Sequence, residues 1–131
     1  DLRKIKQPVY IYGSREDHIV PIEGAYASTQ VLPGKKRFVM GASGHIAGVI
    51  NPPHKKKRSY WTLDSTTFPA DSAQWIAEAE EHPGSWWPDW SEWLAGHGGR
   101  MKAAPESYGS ETYPVIEPAP GRYVKTRVPM I

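Results

Sequence analysis

Cysteine is missing from all 131 residues, which excludes disulfides and thiolate metal sites and leaves no cysteine nucleophile within the chain. No apolar run approaches the roughly 18 residues needed to cross a bilayer as a helix. No charged-then-apolar leader is visible either, and the chain opens at Asp1 rather than at a methionine, so further sequence is expected upstream. No internal repeat occurs.

The balance of 39% hydrophobic and 23% charged residues suits one soluble globular domain. The 13 prolines and 12 glycines imply that much of it is neither helix nor sheet. A net charge of +2 conceals an asymmetry. Asp1 to Ser65 holds 11 Lys/Arg against 5 Asp/Glu, whereas Thr66 to Ile131 holds 5 against 9. The run Lys55-Lys56-Lys57-Arg58 reads as a solvated face or as an attractor for a phosphorylated ligand such as coenzyme A. Nucleic acid is a weaker third reading, because no binding motif accompanies the run.

Pro8-Val9-Tyr10-Ile11-Tyr12 is β-branched and aromatic and stops at Gly13-Ser14, the pattern of a buried strand followed by a loop. Pro21 then suits a first helical position, with Ile22, Ala25, Tyr26 and Thr29 at helical spacing before Pro33-Gly34. Lys36 to Met40 is a second apolar strand, broken by Gly41-Ala42-Ser43-Gly44. Strand, helix and strand in this order predict a right-handed β-α-β crossover in a parallel sheet, hence an α/β fold. Asn51-Pro52-Pro53 and the basic run predict an exposed connection. Asp71 offers an N-cap with Gln74 three residues on, for a short helix through Ala73, Ile76, Ala77 and Glu80 that stops at His82-Pro83-Gly84. Trp86, Trp87, Trp90, Trp93 and Leu94 lie mostly at helical spacing and give one aromatic face, expected to be buried against the rest of the parent domain, with contact to polymer, lipid or a partner as the alternative. The segment 100–131 reads as an extended Pro/Gly-rich tail packing over the domain formed by 1–99.

Polar residues following each strand carry the candidate chemistry. Gly13 to Pro21 and Gly41 to His45 both sit at the carboxyl end of a strand, where open α/β sheets gather their sites. Asp17 and His45 should therefore converge, the carboxylate fixing the imidazole tautomer and stabilising the imidazolium formed on proton uptake. Acid and then histidine is the order found downstream of the nucleophile in an α/β-hydrolase. From order alone, Asp17 could equally be a turn or cap residue and His45 an ordinary loop histidine. No G-x-S-x-G or G-x-C-x-G elbow occurs, and Ser43 reads as a tight-turn residue.

Three long stretches carry more than spacing: Tyr-Gly-Ser-Arg-Glu-Asp-His-Ile-Val-Pro at Tyr12 to Pro21, Gly-Ala-Ser-Gly-His-Ile-Ala-Gly-Val-Ile-Asn-Pro-Pro at Gly41 to Pro53, and Gly-Ser-Trp-Trp-Pro-Asp-Trp at Gly84 to Trp90. The chain resembles class I polyhydroxyalkanoate synthases through these motifs, over nearly its whole length. The resemblance implies the C-terminal portion of an α/β-hydrolase catalytic domain, with its last parallel strands and helices and an irregular tail. It implies an acyltransferase that polymerises (R)-3-hydroxyacyl groups, mainly 3-hydroxybutyryl, from coenzyme A thioesters and releases coenzyme A. Asp17 and His45 match the family's catalytic aspartate and histidine, while its cysteine has no counterpart here. The complete protein is expected as a cytoplasmic homodimer on polyester granules, with no cofactor and no metal.

His18 could line the substrate pocket or simply lead the helix. His54, His82 and His97 lack paired ligand spacing and read as surface histidines. Two other readings stay open: a related esterase or depolymerase with an unseen nucleophile, and a granule-associated module without catalysis.

Overall fold

The computed structural model describes residues 1–129, so Met130 and Ile131 of the expected tail lie outside the described residues. Two compact units are present, Asp1–Gly99 and Arg100–Ile131.

The first unit starts from the β-α-β crossover. Strand β1 (Val9–Ser14) and strand β2 (Lys36–Gly41) pair in parallel, from Val9↔Lys36 to Ser14↔Gly41. Helix α1 (Ile22–Val31) joins them; extended Pro21 is its N-cap, one position outside the predicted helical start, and extended Leu32 ends it before Pro33. Because the two strands share one register, they end at the same level, and the loops after Ser14 and Gly41 leave the sheet side by side.

Strand alternation divides the side chains between two faces. Ile11, Phe38 and Met40 point toward α1 and α2 (Ser72–Glu78), where they meet Ile22, Tyr26 and Trp75. Tyr26 and Phe38 pack edge to face with centroids 5.1 Å apart, and Phe38 and Trp75 likewise at 4.8 Å. Such pairs contribute about 0.5–1.5 kcal/mol beyond area burial. Asp71 caps α2 as expected, its Oδ1 accepting from the Ala73 N–H, but Gln74 bonds Glu78 instead of closing a capping box.

Tyr10 and Tyr12 point to the opposite face, toward helix α3 (Trp87–Gly98). Trp86, the N-cap of α3, lies 4.4 Å from Tyr12, and Trp93 lies 5.4 Å from Tyr10. Asp89 of α3 accepts from the Tyr10 hydroxyl at 2.8 Å and from Arg37 Nε at 2.9 Å, while a second guanidinium nitrogen bonds its other oxygen. The helix is thus pinned to both parallel strands. Within this chain its aromatic face is only partly covered: Trp86, Trp87 and Trp93 are half-buried, whereas Trp90 and Leu94 are exposed.

Two further strands have no counterpart among the sequence expectations. Strand β3 (Ser59–Thr62) pairs antiparallel with β2, and β4 (Glu80–Pro83) pairs antiparallel with β3, giving the order β1-β2-β3-β4 in a mixed α/β unit. The helix predicted to run through Glu80 to His82 ends at Glu78, because the backbone of Glu80 to Pro83 pairs with β3 instead. Asn51 also departs from expectation. It is 2% exposed, and its Nδ2 donates to the carbonyls of Lys57 at 3.0 Å and Gly84 at 3.3 Å, whereas Pro53 to Arg58 is exposed.

Among its described residues the second unit is irregular apart from a 3-10 turn at Tyr123–Lys125. Arg122 pairs with Glu117 at 3.2 Å, and the Ser110 N–H donates to the Tyr113 carbonyl at 2.9 Å.

Candidate functional site

The loops after β1 and β2 are stitched together through their backbones. The Arg15 N–H donates to the Gly41 carbonyl at 2.8 Å, and the Glu16 N–H donates to the Ser43 carbonyl at 3.0 Å. Ser43 adopts φ 74°, the tight-turn conformation expected of it, which costs a non-glycine residue energy and turns the chain toward His45. Two glycines permit the close approach. A Cβ at Gly41 would overlap the Tyr12 hydroxyl, and one at Gly48 would overlap the Ser14 hydroxyl and the Ala42 and Gly44 carbonyls.

Asp17 and His45 meet there. His45 Nδ1 lies 2.8 Å from Asp17 Oδ2. The other carboxylate oxygen, Oδ1, accepts the backbone N–H of Ile19 at 2.8 Å and of Val20 at 2.9 Å. Turn residue and histidine partner, alternatives in the sequence, are both true: one oxygen closes the turn and the other holds the ring. An ionised carboxylate only accepts, so Nδ1 donates to it and Nε2 is left with a free lone pair. Asp17 is well placed to stay charged. Burial opposes ionisation, but the Val20 N–H, the His45 ring and the Ile19 N–H outweigh it and lower the carboxyl to about 2.

Beside this pair is a hollow of about 200 Å³, lined among others by Tyr12, Ser14, Val20 and Val49. The Asp17 side chain is 8% exposed and that of His45 is 42% exposed, so the acid is shielded while the ring is open to an approaching group. Burial pushes the Tyr12 hydroxyl up; its bond to Ser14 and the Arg58 charge act the other way, while Asp17 raises it further. His18 is exposed and does not line this hollow. His54 is exposed, His82 Nε2 lies 2.8 Å from Thr62 Oγ1, and His97 Nδ1 lies 2.9 Å from the Trp93 carbonyl. In the sequence Tyr12 read as a strand residue and Ser14 as part of the loop that follows, neither with a role of its own. Their i, i+2 spacing at the end of a strand, a few residues before the acid, is the available signal that both face the site.

No family model matches the chain. Among curated proteins it is 64% identical over 127 residues to a poly(3-hydroxyalkanoate) polymerase subunit PhaC of Cupriavidus necator, covering 97% of this chain and 21% of that protein. It is 42% identical over 126 residues to the subunit of the same name from Rhizobium etli, covering 96% and 19%. It is 40% identical over 127 residues to poly(3-hydroxyalkanoate) polymerase 2 of Ectopseudomonas oleovorans, covering 97% and 22%. The chain spans about a fifth of the length of the curated relatives it matches. Identity this high across nearly all of its residues places the chain, as a segment, in the poly(3-hydroxyalkanoate) polymerase or polyhydroxyalkanoate synthase family.

Proposed function

We propose that this segment supplies the acid and the histidine of a Cys-His-Asp triad in a polyester synthase. The observation that carries the reading is the 2.8 Å contact between Asp17 and His45 at the ends of two parallel strands, in a chain whose relatives are named polymerases. The cysteine comes from elsewhere in the complete polypeptide. Nε2 of His45 takes the thiol proton, and the thiolate attacks the thioester carbonyl of an (R)-3-hydroxyacyl-CoA. The carbon–sulfur bond to coenzyme A breaks, and the departing thiolate is protonated by the imidazolium. The 3-hydroxyl of an acyl group then attacks the thioester carbonyl of an acyl-enzyme, its proton passing to the same histidine or to Asp17; the carbon–sulfur bond to the cysteine breaks, the cysteine leaves as the thiolate ready for the next acyl group, and the polyester grows by one ester bond.

The parallel β1-α1-β2 unit and the order of acid and histidine support the last part of an α/β-hydrolase fold; the antiparallel β3 and β4 would then extend its edge. The complete enzyme would work as a cytoplasmic homodimer at the granule surface, with the hydroxyacyl-CoA and the growing polyester as its ligands.

The test is His45→Gln in the complete protein, with coenzyme A release and polymer mass as readouts. Both are expected to fall about a thousandfold or more with folding retained. Turnover within about tenfold of wild type overturns the assignment.

A further inference from the structure

We propose that Trp87 and Asn51 are positioning residues for His45: between them they fix the turn that carries the imidazole, and with it the place where Nε2 meets the thiol. This rests on the polyester synthase reading and extends it to the motif at Gly84 to Trp90, which the triad leaves without a role.

The turn cannot hold itself. His45 to Val49 is not a full helix; it has two bonds of helical type, from the Gly48 N–H to the Gly44 carbonyl at 2.8 Å and from the Ile50 N–H to the Ile46 carbonyl at 2.9 Å. So short a run is unstable by itself in water. Nor does packing within this chain fix it, because His45, Ile46 and Val49 are exposed and Gly48 alone of the turn is buried. Its place is therefore set by the groups that bond to its exit.

Two side chains do this. The Trp87 indole N–H donates to the Val49 carbonyl at 2.9 Å, four residues after His45. The buried Asn51 amide donates to the carbonyls of Lys57 and Gly84, which closes the exit onto the start of β3 and the end of β4. Both anchors lead back to one short segment. Gly84 has φ 94°, a conformation that glycine adopts readily; its N–H holds the Arg58 carbonyl at 2.7 Å while its own carbonyl takes the Asn51 amide. Three residues on, Trp87 opens α3, with its backbone N–H on Ser85 Oγ at 3.1 Å. That helix is pinned to β1 and β2 through Asp89, and Trp86 packs on Tyr12, which lines the Asp17–His45 hollow. Residues 84–87 thus tie the turn to the same two strands whose ends present Asp17 and His45.

The consequence is geometric. Asp17 is held separately by the Ile19 and Val20 N–H groups, so a loosened turn keeps the Nδ1 contact as a pivot and lets Nε2 swing. A displacement of about 1 Å at a reacting group costs on the order of 10²-fold in rate. The loss falls on proton transfer and spares substrate binding.

The experiment uses Trp87→Phe in the complete protein, which keeps an aromatic ring and removes the donor. The kcat for 3-hydroxybutyryl-CoA should fall at least about fivefold, with KM within about twofold of wild type. Alkylation of the nucleophilic cysteine by iodoacetamide should shift to higher pH, part of the way to its profile in His45→Gln, because a displaced imidazole no longer draws the thiol proton. A role in stability alone does not move that profile. A smaller fall in kcat, a rise in KM in its place, or an unmoved alkylation profile overturns the proposal. Trp90→Phe, at an exposed position of the same helix, is the control, and an equal loss there overturns it too. Asn51→Ser is held to the same thresholds and decides by itself if Trp87→Phe does not fold. Near-normal turnover in His45→Gln removes the triad reading and this proposal with it, whereas loss in His45→Gln beside an indifferent Trp87→Phe removes the proposal alone.

Discussion

Asp17→Asn alters one half of the carboxylate while sparing the turn that it closes. The Ile19 and Val20 N–H groups, at 2.8 and 2.9 Å, both need an acceptor, so the amide oxygen stays on them and the NH₂ group turns toward His45 Nδ1. Two donors cannot face each other. The ring answers by placing its proton on Nε2 and its lone pair on Nδ1, which removes the base from the only nitrogen that a thiol can reach. In a serine protease triad the corresponding inversion costs about 10⁴-fold in kcat with geometry intact. A similar loss is expected here, because the Asp17 side chain is only 8% exposed and water has little room to take the place of the carboxylate. The assay is thiol release from 3-hydroxybutyryl-CoA by the complete protein, with the ¹⁵N shifts of the His45 ring reporting the tautomer. A loss below about tenfold with the inverted tautomer in place refutes the reasoning, as does an unchanged tautomer. The same variant separates the two roles open to Asp17. If it acts only on the 3-hydroxyl, one equivalent of coenzyme A is released rapidly and elongation fails; if it orients His45, the first release fails too.

Asp89→Ala should destabilise the protein by about 2–4 kcal/mol, since it leaves the Tyr10 hydroxyl without its acceptor and Arg37 with only the exposed Asp64 at 3.4 Å. Denaturant unfolding measures this, and a change under about 0.5 kcal/mol contradicts it. The Asp17 carboxyl should titrate at about 2 by carbon NMR, and in His45→Gln it should rise, because burial still opposes the charge while only the Val20 and Ile19 bonds are left to favour it. A lowered carboxyl contributes stability that is fully present above the unfolded value and lost as pH falls through about 2. The dyad should therefore be intact at about pH 4, and a midpoint near that value refutes it.

Much of the architecture was legible in the chain. Val9 to Tyr12 and Lys36 to Met40 are local apolar runs, and Pro21, Pro33-Gly34 and Asp71 are local punctuation, so β1, β2, α1 and the start of α2 could be read from neighbours in sequence. Strands β3 and β4 could not. Glu80-Glu81-His82-Pro83 has no strand pattern of its own; it is a strand because the free edge of β3, from Thr62 to Ser59, offers backbone partners that lie far from it along the chain. Asn51 looked like part of a loop because its burial depends on Lys57 and Gly84, neither of which adjoins it.

For the site, the sequence by itself singled out the candidates: Asp17 and His45 each follow a strand, and the motifs around them point to polyhydroxyalkanoate synthases, a family that the curated relatives bear out. Strand placement predicted that the two converge, and tertiary structure decided the geometry in which they meet. Their contact depends on the equal parallel register of β1 and β2, on the backbone bonds between the two loops, and on Gly41 and Gly48 leaving room for Tyr12 and Ser14. Each is a pairing between atoms many residues apart along the chain. Pairing at that distance is set by packing and hydrogen bonding in three dimensions, for which a linear sequence carries no local signal.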